Sequence, residues 1–230
     1  MNNIPKCKQL FSFNSVLFEK IFFEFERPWE ILSHLSNIIS SVIESGINGY
    51  KPLSNGILVG EGVEISDSAS IEAPAIIGKG CKIRHGAFLR GAVLLGDGCV
   101  VGNSSEIKNS VLMHRAQAPH FNYVGDSILG SGAHLGAGAI CSNLRSDKAN
   151  VMIRATDITL DTGMKKLGAI LGDNVEIGCG AVLCPGTVIG KNSTVYPLTL
   201  VRGVYAENCI VKNDGSVIPS KENAQNDKNI

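Results

Sequence analysis

The stretch VGEGVEISDSASIEAPAIIGKGCKIRHGAFLRGAVLLGDGCVVGNSSEIKNSVLM, residues 59–113, has an aliphatic residue or Met at every sixth position: Val59, Ile65, Ile71, Ile77, Ile83, Leu89, Leu95, Val101, Ile107 and Met113. Two places ahead of these lie smaller side chains, Val63, Ala69, Ala75, Cys81, Ala87, Val93, Cys99, Ser105 and Val111. One large and one small inward residue per six is the pattern of a hexapeptide parallel β-helix, whose short strands stack and turn corners instead of pairing as hairpins. The period predicts an all-β fold, a single-stranded parallel β-helix.

Upstream, residues 28–45 read as an amphipathic helix, with Pro28 in its first turn, Ile31, Leu35, Ile38, Ile39 and Val42 on one face, and Gly46 as its stop. Its polar face is Ser and Asn rather than Lys and Arg, which suits a cap on the repeat better than a membrane surface. The segment Leu10 to Phe25 is rich in β-forming and aromatic residues and is expected to be ordered. Residues 1–55 thus form an N-terminal segment ahead of a β-helix over 56–210. Downstream the phase slips: after Met113 the next regular positions are Leu129, Leu135 and Cys141. The slip predicts a loop or bulged turn within 116–125, where polar groups would project. A second interruption, residues 142–168, contains a hairpin pattern at Val151 to Thr159; it leaves the coil and returns in phase, since Cys141 and Leu171 are five hexads apart. Leu171, Ile177, Leu183, Ile189, Val195 and Val201 then resume the register, and the polar tail 211–230 is expected to be disordered.

The chain has 230 residues, with 21 basic and 21 acidic side chains, so it has no electrostatic footprint for nucleic acid. Seven cysteines, an odd number with no CxxC pair, fit a reduced cytoplasmic protein. Cys81 and Cys99 fall on the small inward position and read as core filler, while Cys179 and Cys184 lie off it. Glu19, Lys20, Glu24 and Glu26 interrupt the apolar N-terminal residues, so no run approaches the roughly 18 residues of a membrane span, and no cleavage site follows.

With three hexads per coil, residues 18 apart stack about 4.8 Å from one another. Arg90 and Lys108 are such a pair, each directly following an inward aliphatic, and two stacked cations call for a bridging anion such as phosphate. Around the slip lie Glu106, His120 and Tyr123. Histidine is the side chain suited to take a proton near neutral pH, and a carboxylate such as Glu106 could hold its ring.

Three runs carry a family likeness: Gly102-Asn103-Ser104-Ser105-Glu106-Ile107-Lys108, Pro119-His120-Phe121-Asn122-Tyr123-Val124-Gly125-Asp126, and Leu135-Gly136-Ala137-Gly138-Ala139-Ile140-Cys141-Ser142-Asn143. In order and spacing they resemble the C-terminal acetyltransferase domain of the bacterial bifunctional N-acetylglucosamine-1-phosphate uridyltransferase. The likeness runs without a gap from Arg90 to Asn143 and more loosely over 56–210. It implies a left-handed helix, a homotrimer, and acetyl-CoA-dependent N-acetylation of an amino-sugar 1-phosphate, glucosamine 1-phosphate first, on the way to UDP-N-acetylglucosamine. By position, Arg90 and Lys108 match the phosphate contacts, His120 the general base and Glu106 the carboxylate that orients it. Tyr123 and Asn143 match sugar-phosphate contacts, and Ala137 and Cys179 fall on the coenzyme side. His134 stands where the family has a substrate-contacting Asn, Leu144 where it has a Tyr, and Lys148 one place from its loop Lys; the insertion after Asn143 is longer. No Gly-rich, Arg-containing phosphate loop opens the chain, and no Rossmann-like sheet fits before residue 56. Two other readings compete. One is a non-catalytic trimeric sugar-phosphate-binding β-helix, favoured by His134 and Leu144. The other is a γ-type carbonic anhydrase using His85, His114 and His120 on zinc.

Overall fold

The computed structural model describes residues 4–13 and 15–220. From Ile57 onward the chain winds into a three-sided parallel β-helix. One face stacks Ile57–Gly60, Ala75–Ile77, the second halves of Phe88–Leu95 and Glu106–Leu112, then Ile128–Leu129, Ala169–Leu171, Thr187–Ile189 and Val204–Tyr205. A second stacks Glu64–Ile65, Lys82–Ile83, Val100–Asn103, Gln117–His120, His134–Leu135, Glu176–Ile177, Thr194–Val195 and Cys209–Val211. The third stacks Ser70–Ile71, the first halves of the two long strands, Tyr123–Gly125, Ile140–Cys141, Val182–Leu183 and Leu200–Val201. These are the cap face, the back face and the site face.

The inward hexad residues from Ile77 to Ile107 are buried in one core along the axis, with Cys81 and Cys99 at 0% exposure between them. Met113 does not belong to this core. The chain pairs Leu95 with Leu112, not with Met113, after a register shift between Arg90 and Val93, and Leu112 takes the inward seat. Each coil through this region has 17 residues: Val101 pairs with Ala118, Ile107 with Val124 and Leu112 with Leu129. No loop occupies 116–125. The apparent sixteen-residue slip is the sum of a one-residue shortening and a wrongly assigned Met113, and the strands Gln117–His120 and Tyr123–Gly125 continue the coil.

Met113 turns outward into a second core between the cap face and the N-terminal segment. There Leu58, Ile76, Leu94, Val111, Ile128, Ile170 and Val188 meet Phe11, Phe18, Phe22, Trp29, Ile31, Leu35 and Ile39. A sheet covered on both sides reads as a continuous apolar run, as Ala75-Ile76-Ile77 and Ala169-Ile170-Leu171 do. The segment Leu10 to Phe25 is helical rather than extended: Cys7–Leu10 and Val16–Phe22 are α-helices, the second N-capped by Ser15, whose Oγ accepts from Phe18 N at 3.3 Å. Burial of its aromatics between helices overrides their β preference. The expected helix over 28–45 is divided at His34 into a 3-10 helix, Pro28–Ser33, and an α-helix, Leu35–Ser45, which Gly46 ends with φ +74°. Asp173 fastens the segment to the coil, accepting from Ser12 N at 2.6 Å and Ser131 N at 2.8 Å.

The insertion folds as a hairpin, Met152–Arg154 against Thr159–Asp161, and its Val151 and Ile153 join the second core. Val217–Pro219, in the tail expected to be disordered, pairs antiparallel with Cys209–Val211 and closes the open edge of the back face. Residues 221–230 of that tail lie outside the described residues. Among the described residues, no helix is long and apolar enough to cross a membrane.

Candidate functional site

Arg90 and Lys108 stack as Cα partners on the site face, as the 18-residue spacing predicts. Their charges do not wait for a phosphate, however. Arg90 donates to Glu106 Oε1 at 2.5 Å, and Lys108 Nζ to Asp126 Oδ2 at 3.1 Å. The Lys108 side chain is 19% exposed and the Asp126 side chain 5%, so this second pair is largely withdrawn from water. Asp126 is the hub of the site. Its carboxylate also accepts from Asn109 Nδ2 at 2.8 Å and Asn143 Nδ2 at 2.5 Å, and Asn109 Nδ2 reaches on to the Leu32 carbonyl of the cap at 3.2 Å.

Tyr123 lies directly between Glu106 and Ile140 in the stack. Its phenol is held above its ordinary pKa of 10.0, by burial first and then by the Glu106 and Asp126 carboxylates. Its oxygen accepts from Asn143 Nδ2 at 3.2 Å, which leaves the hydroxyl proton free to be donated to a ligand. Gly125, on the next rung above Lys108, makes room for both: a Cβ there would come within 2.6 Å of Tyr123 Oη and of Asn143 Nδ2.

His120 is exposed at the corner where the back face turns toward the site face, and its ring has no hydrogen-bond partner among the described residues. Glu106 does not orient it, since that carboxylate is turned across the site face to Arg90. What fixes the corner is Asn122, a residue the sequence reading left without a role. Buried to 2% exposure, Asn122 accepts from His120 N at 3.0 Å through Oδ1, and its Nδ2 donates to the carbonyls of Gly136 at 2.8 Å and Ala139 at 3.2 Å. It occupies the small inward seat two residues ahead of Val124, and the misread phase hid that seat. Next to it Phe121, exposed at 58%, takes φ +40°.

The corner of His120 continues upward through Ala137 and Cys179. Gly138 N donates to His120 O at 3.1 Å, Gly180 N to Ala137 O at 2.9 Å, and Leu198 N to Cys179 O at 2.9 Å. The structure therefore stacks the proposed base and both proposed coenzyme-side residues in one column. His134 is not part of this cluster; it lies on the back face, where Nδ1 is 2.9 Å from Glu176 Oε2. Leu144 is 43% exposed and forms an isolated bridge with Lys166. The three histidines of the zinc reading are also separated. Nδ1 of His85 lies 2.7 Å from Ser68 Oγ, and that of His114 accepts from Asp97 N at 3.0 Å. Among the described residues, no three His, Cys, Asp or Glu side chains gather as metal ligands.

Comparison with known proteins matches residues 168–203 to the bacterial transferase hexapeptide family (six repeats) and residues 71–177 to the family described as GMPPB C-terminal domain. The chain thus carries the hexapeptide repeat of bacterial transferases, and its β-helix is the left-handed one. Within that class, the bifunctional protein GlmU of Methanococcus maripaludis is 36% identical over 200 residues, 85% of this chain and 48% of the relative. A bifunctional sugar-1-phosphate nucleotidylyltransferase/acetyltransferase of Sulfurisphaera tokodaii is 34% identical over 91 residues, 40% of this chain and 23% of that one. The chain spans about half the length, or less, of the curated relatives it matches. Among solved structures, a variant of AntD, an N-acyltransferase from Bacillus cereus in complex with dTDP and coenzyme A, is 20% identical with a TM-score of 0.45, covering 80% of this chain and 97% of that one.

Proposed function

We propose that the chain transfers an acetyl group from acetyl-CoA to the amine of an amino-sugar 1-phosphate, with glucosamine 1-phosphate the first candidate. The observation that carries this reading is the convergence of Arg90, Lys108, Tyr123 and Asn143 on one face beside an imidazole, His120, that is exposed and unengaged. The phosphate exchanges places with Glu106 and Asp126 on the two cations, the Tyr123 hydroxyl donates to the sugar phosphate, and Asn143 holds that phenol in place. His120 takes the proton from the amine as its nitrogen bonds to the thioester carbonyl carbon. The carbon–sulfur bond then breaks and the thiolate leaves, while backbone amides of the coil face the developing oxyanion. Ala137 and Cys179 lie along the coenzyme, further up the corner of His120.

The assembly is a homotrimer in this reading. Supporting it, the ladder above Tyr123 is apolar and open to solvent: Ile140 is 38% exposed and Leu200 69%, with Leu198 at 80% on the adjoining corner. A second copy covering that stripe would bring its own residues against His120 and Tyr123.

Thiol release from acetyl-CoA across hexosamine 1-phosphates tests the reaction. The expected result is turnover with at least one acceptor, abolished in His120→Ala with sugar-phosphate binding kept. No turnover with any of them overturns it. Binding without turnover supports the non-catalytic module instead.

A further inference from the structure

A concentration of unneutralised positive charge lies away from the pairs made by Arg90 and Lys108. It lies in a cleft of about 510 Å³ between the insertion and the upper coils, lined by Arg145, Arg154, Arg202, Ser142, Ser146 and Cys184 among others. Arg145 is held by Asp147, its Nε donating to Oδ1 at 2.9 Å and its NH2 to Oδ2 at 2.5 Å. Arg202 has only a weak acceptor, the Cys184 thiol, at 3.8 Å from NH2. Arg154 has no side-chain partner among the described residues. Three guanidiniums against the single carboxylate of Asp147 leave the cleft with an excess of two positive charges.

The arrangement is built into the fold. Gly186 and Gly203 let the hairpin press onto the coil: a Cβ on Gly186 would lie 2.8 Å from Met152 O, and one on Gly203, at φ +102°, would lie 3.0 Å from Arg154 O. The hairpin strand carrying Arg154 is thereby fixed beside the rung carrying Arg202. That rung also belongs to the column of Arg90 and Lys108. Pairing of Cys141 with Leu183 and of Leu183 with Val201 puts Ser142, Cys184 and Arg202 on successive rungs above Gly125. At about 4.8 Å per rung, Arg202 stands roughly 14 Å from Gly125 and 19 Å from Lys108.

We propose that this cleft binds the diphosphate group of a phosphate ester. Arg154 and Arg202 both line the cleft with planar guanidinium forks, each able to hold a phosphate bidentately, and Ser142 and Ser146 are within the same lining. An elongated ligand with its diphosphate here reaches the Tyr123 region along the bare Gly125 rung. Which ester occupies it rests on the acetyl-transfer reading; the diphosphate site itself does not.

Titration calorimetry with inorganic pyrophosphate tests the site. One saturable site per chain is expected, weakened at least about tenfold in Arg154→Ala and in Arg202→Ala and screened by added salt. Both side chains are exposed, so these variants are expected to fold, with circular dichroism as the check. Arg202→Lys, which keeps the charge and loses the fork, should bind with intermediate strength. Coenzyme A, pantetheine and UDP then distinguish the source. If the ester is the coenzyme, coenzyme A displaces pyrophosphate, pantetheine does not, and the double variant loses the difference; if it is a nucleoside diphosphate, UDP displaces it and coenzyme A does not. Absent saturable binding, or binding unchanged in the double variant, overturns the proposal. Pyrophosphate binding in a protein with no thiol release would overturn the acetyl-transfer reading and leave the cleft standing, and the reverse result would do the opposite.

Discussion

Replacing Asn122 with Ala sets two ways of reading the chain against each other. Pattern alone favours the change: Ala139 and Ala181 fill the equivalent inward seat in neighbouring coils at 0% exposure, so Ala fits sterically and removes a buried amide. The structure predicts the opposite sign. The Asn122 side chain makes three hydrogen bonds, with His120 N and the Gly136 and Ala139 carbonyls, and Ala leaves those groups without it at a buried position. At a net ~1 kcal/mol per bond, plus a desolvation penalty wherever no second partner exists, the loss is about 2–4 kcal/mol. For a chain of this size that lowers the midpoint of thermal unfolding by roughly 5–15 °C. Scanning calorimetry of both proteins measures it, and amide exchange at His120 locates it, since that N–H should lose protection along with the midpoint. Thiol release should fall as well, because the corner that presents His120 loses its anchor. An Asn122→Ala protein as stable as the parent, or more so, would refute the argument that the amide rather than seat volume holds the corner.

Two glycines separate a site defect from a folding defect. Gly125→Ala pushes against the movable ends of Tyr123 and Asn143, so sugar-phosphate binding should drop about tenfold with stability changed by under ~1.5 kcal/mol; in Gly102→Ala the Cβ would lie 1.6 Å from Pro119 O, a backbone atom, and stability should fall by more than about 4 kcal/mol on denaturant titration. The Tyr123 phenol should titrate above 10.0, seen as the difference between the ultraviolet pH titrations of the parent and Tyr123→Phe. Because the fold favours the protonated form, the stability linked to it is intact below pH 10.0 and lost as pH rises through the higher folded value, and a difference signal half complete at or below pH 10.0 counts against this. Leu198→Glu with Leu200→Glu should convert a multimer to a folded monomer by light scattering; a parent already monomeric at high concentration rejects the covered stripe.

How much of this was legible depends on which core a residue serves. From Val59 to Ile107 one aliphatic per six was enough, because each of those residues packs into the core along the axis. The count failed at Leu112 and Met113, adjacent apolar residues of which only Leu112 points to the axis; composition cannot rank them, because the second core wants an apolar residue too. A subtler signal was present. Every third hexad carries an extra aliphatic beside its inward residue, as in Ile76, Leu94, Val111, Ile128, Ile170 and Val188, whereas Lys82-Ile83-Arg84 and Leu89-Arg90 do not. Read that way, the face that the N-terminal helices cover is marked in every coil, although the same signal recurs in the upper coils of the site face at Ile140, Val182 and Leu200, which form the exposed stripe. The site was legible as a set of residue types but not as a set of bonds. Stacking of Arg90 on Lys108 followed from spacing, while the neutralisation of each by a carboxylate depended on rotamers that no spacing specifies. Asn122 and Asp126 were invisible for a related reason: a polar residue becomes conspicuous only once its seat is known to be buried, and the shortened coil displaced the seats from Leu112 to Val124 by one. Interruptions of a repeat are thus poor guides to chemistry when the repeat itself has changed length. Here the candidate site sits on uninterrupted coil, and the insertion supplies an arginine cleft instead.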